Sequence, residues 1–211
     1  MTPLRRVPVQ DVPHAPLLPV GGCSGLPGVV LSYAQGEQIY AEGDRAYSLY
    51  AVVAGAVRTV RHSSDGRRQV GAFYYPGDLF GLEVDEEHAF AAEAMCPAQI
   101  RTVRLGSGED PAIIQATRRE LARAHDHLAM LGRRSAEEKV ASFLLELAHQ
   151  GPCDQAALPM SRQDMADYLG LALETVSRVL GRFQDENLVV FCSCRDFRII
   201  KRSRLKRLAS T

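Results

Sequence analysis

No apolar run in this chain approaches the roughly 18 residues a membrane-spanning helix needs. Its 25 Lys+Arg balance 25 Asp+Glu, so the formal net charge is zero. The first lack excludes a helical membrane span, and the second removes any bulk attraction to polyanions. Cysteine is scarce: five residues, odd in number and irregular in spacing, outline no disulfide framework, and a reducing cytoplasm is the default compartment. The opening stretch MTPLRRVPVQDVPHAPLLPVGG has five prolines and no continuous apolar segment, so it is not a secretory signal. Residues 1–26 read as an extended, poorly ordered leader. Neither G-x-S-x-G nor a P-loop occurs, and Cys192-x-Cys194 lacks the thioredoxin-like helical setting, so an enzyme is not expected.

A length of 211 residues with 46% hydrophobic content is enough for one large core or two modest ones. The charge is balanced overall but not evenly spread. Leu188 to Thr211 holds seven Lys/Arg and one acid, whereas Tyr75 to Asp110 holds eight acids and two bases. A basic end on a neutral chain fits phosphate contact by one module.

Between about Leu31 and Leu105, short β-type segments such as LYAVVAGAVRTV and QVGAFYYPGDLFGL are punctuated by glycine. Gly43, Gly55 and Gly66 recur every eleven to twelve residues, Ser64-Asp65-Gly66 reads as a hairpin tip, and Pro76-Gly77 as a turn. Evenly spaced short strands predict a sandwich or jelly roll over 27–109. The pattern changes at Asp110, a cap, and Pro111, a first helical residue. Ile113, Ile114, Leu121, Leu128 and Leu131 then form one apolar stripe, which suits a core helix or a coiled-coil partner equally. Gly132-Arg133-Arg134 breaks that helix (110–134), and Ser135-x-x-Glu138 reads as a capping box opening a module over 135–211.

Within that module, SRQDMADYLGLALETVSRVLGRFQ reads as two short helices around Gly170. Met165, Ala166 and Leu169 line the first helix. Leu171, Val176, Val179, Leu180 and Phe183 give the second its inner face. Glu174, Ser177, Arg178 and Arg182 project from the opposite side. Arg pairs with guanine in the major groove, Glu accepts from cytosine N4, and Ser reaches bases or phosphate. Beyond, LVVF and FRII flank CSCRD as a two-stranded wing. The basic KRSRLKR that follows either contacts phosphate or keeps the tail soluble.

Residues 158 to 190 resemble the winged helix-turn-helix of the Crp/Fnr superfamily of bacterial transcription regulators. The E-T-V-S-R run, Glu174 to Arg178, resembles the recognition signature of its Fnr and FixK branches, which is associated with a TTGAT half-site. The cyclic-AMP receptor branch carries Arg just before the Glu; Leu173 here favours TTGAT over TGTGA. The resemblance implies an α+β chain: a β-jelly-roll (cyclic-nucleotide-binding-like) sensor domain, a long dimerisation helix and a C-terminal winged helix-turn-helix. It implies that Arg178 contacts guanine, Glu174 the paired cytosine and Ser177 a neighbouring thymine. Backbone contacts are expected from Ser161, Arg162, Thr175, Arg182 and Arg195, and a dimer seam from Leu121, Ala124, Leu128 and Leu131. The implied partners are double-stranded DNA, a second copy of the chain and RNA polymerase. The expected role is a regulator, in the activating mode, on a palindromic site.

The cyclic-nucleotide branch holds its phosphate with an Arg beside a cassette like F-G-E-L. Here Phe80-Gly81-Leu82-Glu83 is followed by no Arg before Arg101, and Glu83, Asp85, Glu86, Glu87 and Glu93 occupy the neighbourhood. An anion meets repulsion there, so no cyclic nucleotide is expected; the alternative is a regulator that needs such an effector in the roll. D-L-F-G-L-E…F-x-A-E-A resembles the FixK branch, in which no small-molecule effector is implied. An iron–sulfur cluster needs four thiolates, and Cys23 and Cys96 are too few. His62, His88, His125 and His127 read as solvated or packed rather than haem ligands, so no cofactor or metal is expected. Cys192 and Cys194 alternate on one strand face among Arg195, Arg198 and Lys201, where cations favour thiolate. Two readings stand for them: thiols whose oxidation weakens DNA binding, or small wing residues with no regulatory role.

Overall fold

The structure, a computed structural model, describes residues 27–104, 111–149, 155–193 and 196–210. The leader expected over 1–26 and the cap expected at Asp110 lie outside the described residues. The described chain opens with eight short strands: β1 (Val29–Tyr33), β2 (Gln38–Tyr40), β3 (Ser48–Ala54), β4 (Val57–His62), β5 (Arg68–Tyr74), β6 (Leu79–Phe80), β7 (Ala91–Ala94) and β8 (Ala98–Arg104). They form two antiparallel sheets, ordered β1-β8-β3-β6 and β2-β7-β4-β5. Alternation along the strands turns Val52, Ile100, Val57, Ala72, Tyr74 and Ala92 inward, and these fill the space between the sheets. Gly55 shows why glycine punctuates the strands. Its φ is 84°, and an added Cβ would lie 2.5 Å from the Pro97 carbonyl oxygen.

Helix α1 (Pro111–Leu131) lies along the outer face of the first sheet, where Ile113 and Ala116 cover Leu49, Ala51, Leu79 and Val103. The single apolar stripe read from the sequence divides into two faces. Successive helical residues are turned by about 100°, so Ile113 meets the roll while Ile114 does not. Ile114, Leu121 and Leu128, seven apart, remain 41%, 57% and 65% exposed.

Helix α2 (Ala136–His149) follows the break. The Ser135 hydroxyl accepts from Glu138 N–H at 3.1 Å, but the Glu138 carboxylate reaches back to Arg134 N–H, so the expected capping box closes one residue early. Then come β9 (Gln155–Ala157), α3 (Arg162–Leu169), α4 (Leu173–Asp185), β10 (Val189–Ser193), β11 (Asp196–Ile199) and α5 (Arg202–Ala209). The wing has three strands rather than two, ordered β10-β11-β9. The basic follow-on is a helix, α5, with Leu205 and Ala209 buried. One apolar cluster joins Val60, Val70 and Phe73 of the roll to Phe143 of α2 and Met165 and Tyr168 of α3. The C-terminal module is therefore packed onto the roll. No helix of the described residues is long and apolar enough to cross a membrane.

Candidate nucleic-acid interface

Ser161 starts α3 in extended conformation, and its hydroxyl accepts from Asp164 N–H while the Asp164 carboxylate accepts from Ser161 N–H. This reciprocal cap satisfies two helix-end donors and is typically worth about 1 kcal/mol. Gly170 ends α3 with φ 62°, in the left-handed conformation, and its N–H donates to the Ala166 carbonyl. The turn lets α4 begin at Leu173, where the N-cap residue Ala172 supplies no side-chain hydrogen bond. The Thr175 and Val176 amides donate to the Ala172 carbonyl, and with no side-chain cap the Leu173 and Glu174 amides are the first-turn donors left for an external acceptor among the described residues, the geometry that suits phosphate.

Val176, Val179, Leu180 and Phe183 of α4 are buried, as the spacing predicts. Glu174 and Arg178 are exposed and Ser177 half-buried on the opposite side. Glu174 and Arg178 stand four apart, an arrangement that favours a surface ion pair, yet neither has a polar partner among the described residues. A carboxylate, a hydroxyl and a guanidinium thus stand together on one helix face with their hydrogen-bonding capacity unspent.

The backbone-contact candidates differ in setting. Arg162 is exposed with no partner among the described residues, and Thr175 is half-buried. Ser161 commits its hydroxyl to the cap of α3. Arg182 forms ion pairs with Glu137 of α2 and with Glu186, so it ties α4 to α2. Glu186 in turn accepts from Arg204 at 3.0 Å, and its carbonyl accepts from Lys201 at 2.9 Å, tying α4 to α5. Cys192 is an exposed free thiol on β10, whose register is irregular between Phe191 and Ser193. Cys194 and Arg195 lie outside the described residues. Of the seam residues, Leu121, Ala124 and Leu128 are exposed, whereas Leu131 is half-buried and lies close to Gly170 at the helix-turn-helix turn.

Sequence reasoning missed the residues that hold this module to the roll. The Asp164 side chain, 4% exposed, accepts from Arg58 Nη1 at 2.9 Å on both oxygens and from Arg68 Nη2 at 2.8 Å. Arg58 also donates from Nε and Nη2 to Glu93, and Arg68 Nη1 donates to Asp167 at 2.5 Å. Burial works to raise the Asp164 carboxyl, but hydrogen bonds from Arg68 and Ser161 and the charge of Arg58 outweigh it and hold it below its ordinary value. The only local signal was Ser161-x-x-Asp164, a cap pattern; nothing in the sequence pairs it with arginines about a hundred residues away.

Rings fill the roll interior beside residues 80–83, the stretch that corresponds to the cyclic-nucleotide cassette. His88, buried, stacks on Tyr40 at 3.7 Å, and its Nδ1 lies 3.2 Å from Glu83. Tyr50, Phe80 and Tyr74 complete the cluster. Glu86 pairs with Arg45 and Glu93 with Arg58. His62 and His125 are exposed and His127 packs against Tyr168, so the four histidines divide evenly between solvated and packed.

Residues 30–106 match the cyclic nucleotide-binding domain and residues 138–208 the Crp-like helix-turn-helix domain. The nitrogen fixation regulation protein FixK of Rhizobium meliloti is 40% identical over 206 residues, 95% of this chain and 94% of that protein. The transcriptional activatory protein AadR of Rhodopseudomonas palustris is 36% identical over 172 residues, covering 75% of this chain and 72% of that one. The solved structure of FixK2 from Bradyrhizobium japonicum superposes with a TM-score of 0.81 at 42% identity, over 88% of this chain and 99% of its own. The chain is thus a member of the Crp/Fnr family of transcription regulators, with FixK proteins among its relatives and a helix-turn-helix as its DNA-binding element.

Proposed function

We propose that this chain works as a homodimer that reads a TTGAT-type palindrome and activates transcription. The observation that carries the reading is the outward trio on α4: Glu174, Ser177 and Arg178 have no polar side-chain partner among the described residues, while the opposite stripe of the same helix is buried. Arg178 takes guanine, Glu174 the paired cytosine and Ser177 a thymine. Arg162, Thr175, Arg182 and Arg195 are assigned to phosphates, with Arg182 exchanging its glutamates for DNA, whereas Ser161 spends its hydroxyl and its amide on Asp164. Ile114, Leu121 and Leu128, with Ala124 and Leu131 between the turns, supply the seam for a second copy. Two recognition helices then enter successive major grooves about 34–36 Å apart. AadR is a transcriptional activatory protein, which supports the activating mode; RNA polymerase is the partner assigned on this reading.

On this reading the roll needs no cyclic nucleotide. The aromatic cluster around His88 and the acid Glu83 offer no positive field to a cyclic phosphate, and the nearby Arg45 and Arg58 are paired with Glu86 and Glu93. Oxidation of Cys192 and Cys194 weakens DNA binding by placing negative charge beside phosphate; the exposed free thiol of Cys192 supports this. Selection of bound sequences from random DNA, with and without reductant, tests both points. A TTGAT…ATCAA consensus without added nucleotide supports the assignment. A consensus that appears only with cyclic AMP points to the effector-dependent alternative. Loss of affinity on peroxide treatment that is equal in wild type and in Cys192→Ser/Cys194→Ser rules out the wing switch.

A further inference from the structure

The roll presents two arginines to the helix-turn-helix, and they grip it at the start of α3. Glu93, Arg58, Asp164, Arg68 and Asp167 form a continuous chain of alternating charge from β7 across β4 and β5 onto α3. Arg58 is pinned on its own sheet, since Arg58 and Glu93 are cross-strand partners and two of its nitrogens bond that carboxylate. Its remaining Nη1 reaches both oxygens of Asp164. The same carboxylate caps α3, so the arginines hold the helix at the residue that fixes where it begins. Asp164 and Asp167 are 4% and 10% exposed at the side chain. Two carboxylates at the head of a DNA-binding motif would repel phosphate if left open, and the arginines neutralise them. Phe73 of β5 lies 5.1 Å from the Tyr168 ring, adding an apolar contact to the same junction. None of these contacts touches Glu174, Ser177 or Arg178, so the grip leaves the reading face open.

We propose that Arg58 and Arg68 are positioning residues for DNA reading: by clamping Asp164 and Asp167 they fix the recognition helix relative to the roll and hence to the dimer. The inference rests on the reading that α4 enters the major groove of a two-half-site operator. A fixed helix reaches both half-sites only at one separation, so the roll acts as a bracket that sets half-site spacing. Freed of the clamp, the module should still recognise its bases but no longer enforce their separation.

The test is binding of the full-length dimer to palindromes whose half-sites are moved apart or together by one and two base pairs, beside a single half-site. Arg58→Ala/Arg68→Ala should lose about tenfold on the best palindrome, within the usual range for coupling between sites. Its preference among spacings should flatten, while its affinity for one half-site and its penalty for a changed guanine stay as in wild type. The slope of log affinity against log salt should also be unchanged, since neither arginine touches phosphate. Unchanged spacing preference overturns the proposal, as does tighter palindrome binding, which would mean the clamp holds the module in an unproductive pose. A fall in the salt slope of about one per arginine also overturns it, because that marks phosphate contacts. Should the double variant fail to fold, Arg68→Gln, which leaves Arg58 on Asp164 and Glu93, is read by the same spacing profile. Arg178→Ala in parallel separates the two ideas: if that variant keeps its base preference, the reading of α4 fails, whatever the spacing profile shows.

Discussion

The ring of His127 lies flat on that of Tyr168, with centroids 3.8 Å apart and planes 4° from parallel, and its Nε2–H donates to the Tyr168 carbonyl at 2.7 Å. The pair joins the long helix α1 to the first helix of the DNA-binding motif. Burial lowers the His127 imidazole below its ordinary 6.5, against a smaller opposing effect of the hydrogen bond. The folded protein therefore binds this proton less readily than the unfolded chain, and stability falls as pH drops through about 6.5. The thermal midpoint of wild type should decline from pH 7.5 to 5.5 more steeply than that of His127→Gln. Parallel pH profiles would contradict this.

Glu146 of α2 faces the same junction. Burial, helped by the charge of Asp126 and opposed by Arg123, holds its carboxyl above the usual range. A raised carboxyl costs stability at pH values above its unfolded value of 4.5, where it must ionise in a partly desolvated place. Glu146→Gln should raise the midpoint at pH 7.5, with the gain shrinking as the pH approaches 4.5. A gain that does not change with pH would point to packing rather than charge.

The legible parts of this fold are those in which one helix or one turn carries its own signal. Val176, Val179, Leu180 and Phe183 mark a buried face by spacing alone, and Gly170 marks the turn because few other residues adopt its conformation. What escaped depends on distant partners or on weak patterns. Arg58 and Arg68 reach Asp164 across about a hundred residues, and no spacing rule encodes that. Helix α5 carries only Leu205, Leu208 and Ala209 among its basic residues, so it reads as a solvated tail until α2 is seen to cover it. Strand β9 is three residues long and gains its identity only by pairing with β11. Ile113 and Ile114 read as one stripe, but neighbouring residues on a helix cannot share a partner as narrow as a single sheet.

The exposed seam of α1 makes an assembly prediction. Leu121→Asp/Leu128→Asp places like charges at the centre of the proposed dimer contact while leaving the roll-facing Ile113 and Ala116 untouched. Sedimentation should report a monomer, with affinity for the full palindrome reduced by roughly 100-fold or more through lost bivalency. A dimer that persists would move the interface elsewhere.

Gly170 is the conformational pivot between α3 and α4. A Cβ there lies an ordinary 3.7 Å from the nearest side-chain atom, so the cost of Gly170→Ala is backbone strain rather than collision. The expected loss is about 1–2 kcal/mol, read as a lower denaturant midpoint at unchanged slope. A neutral effect would mean the turn has a second accessible geometry.

If α4 reads bases through its outward trio, the affinity of Arg178→Ala for the consensus palindrome and for every single-base variant of one half-site must show it. Arg178→Ala should lose about 1–3 kcal/mol on the consensus, with discrimination abolished at one guanine and kept elsewhere. A loss equal across all sequences, with the guanine still preferred, would make Arg178 a phosphate contact rather than a reader of bases.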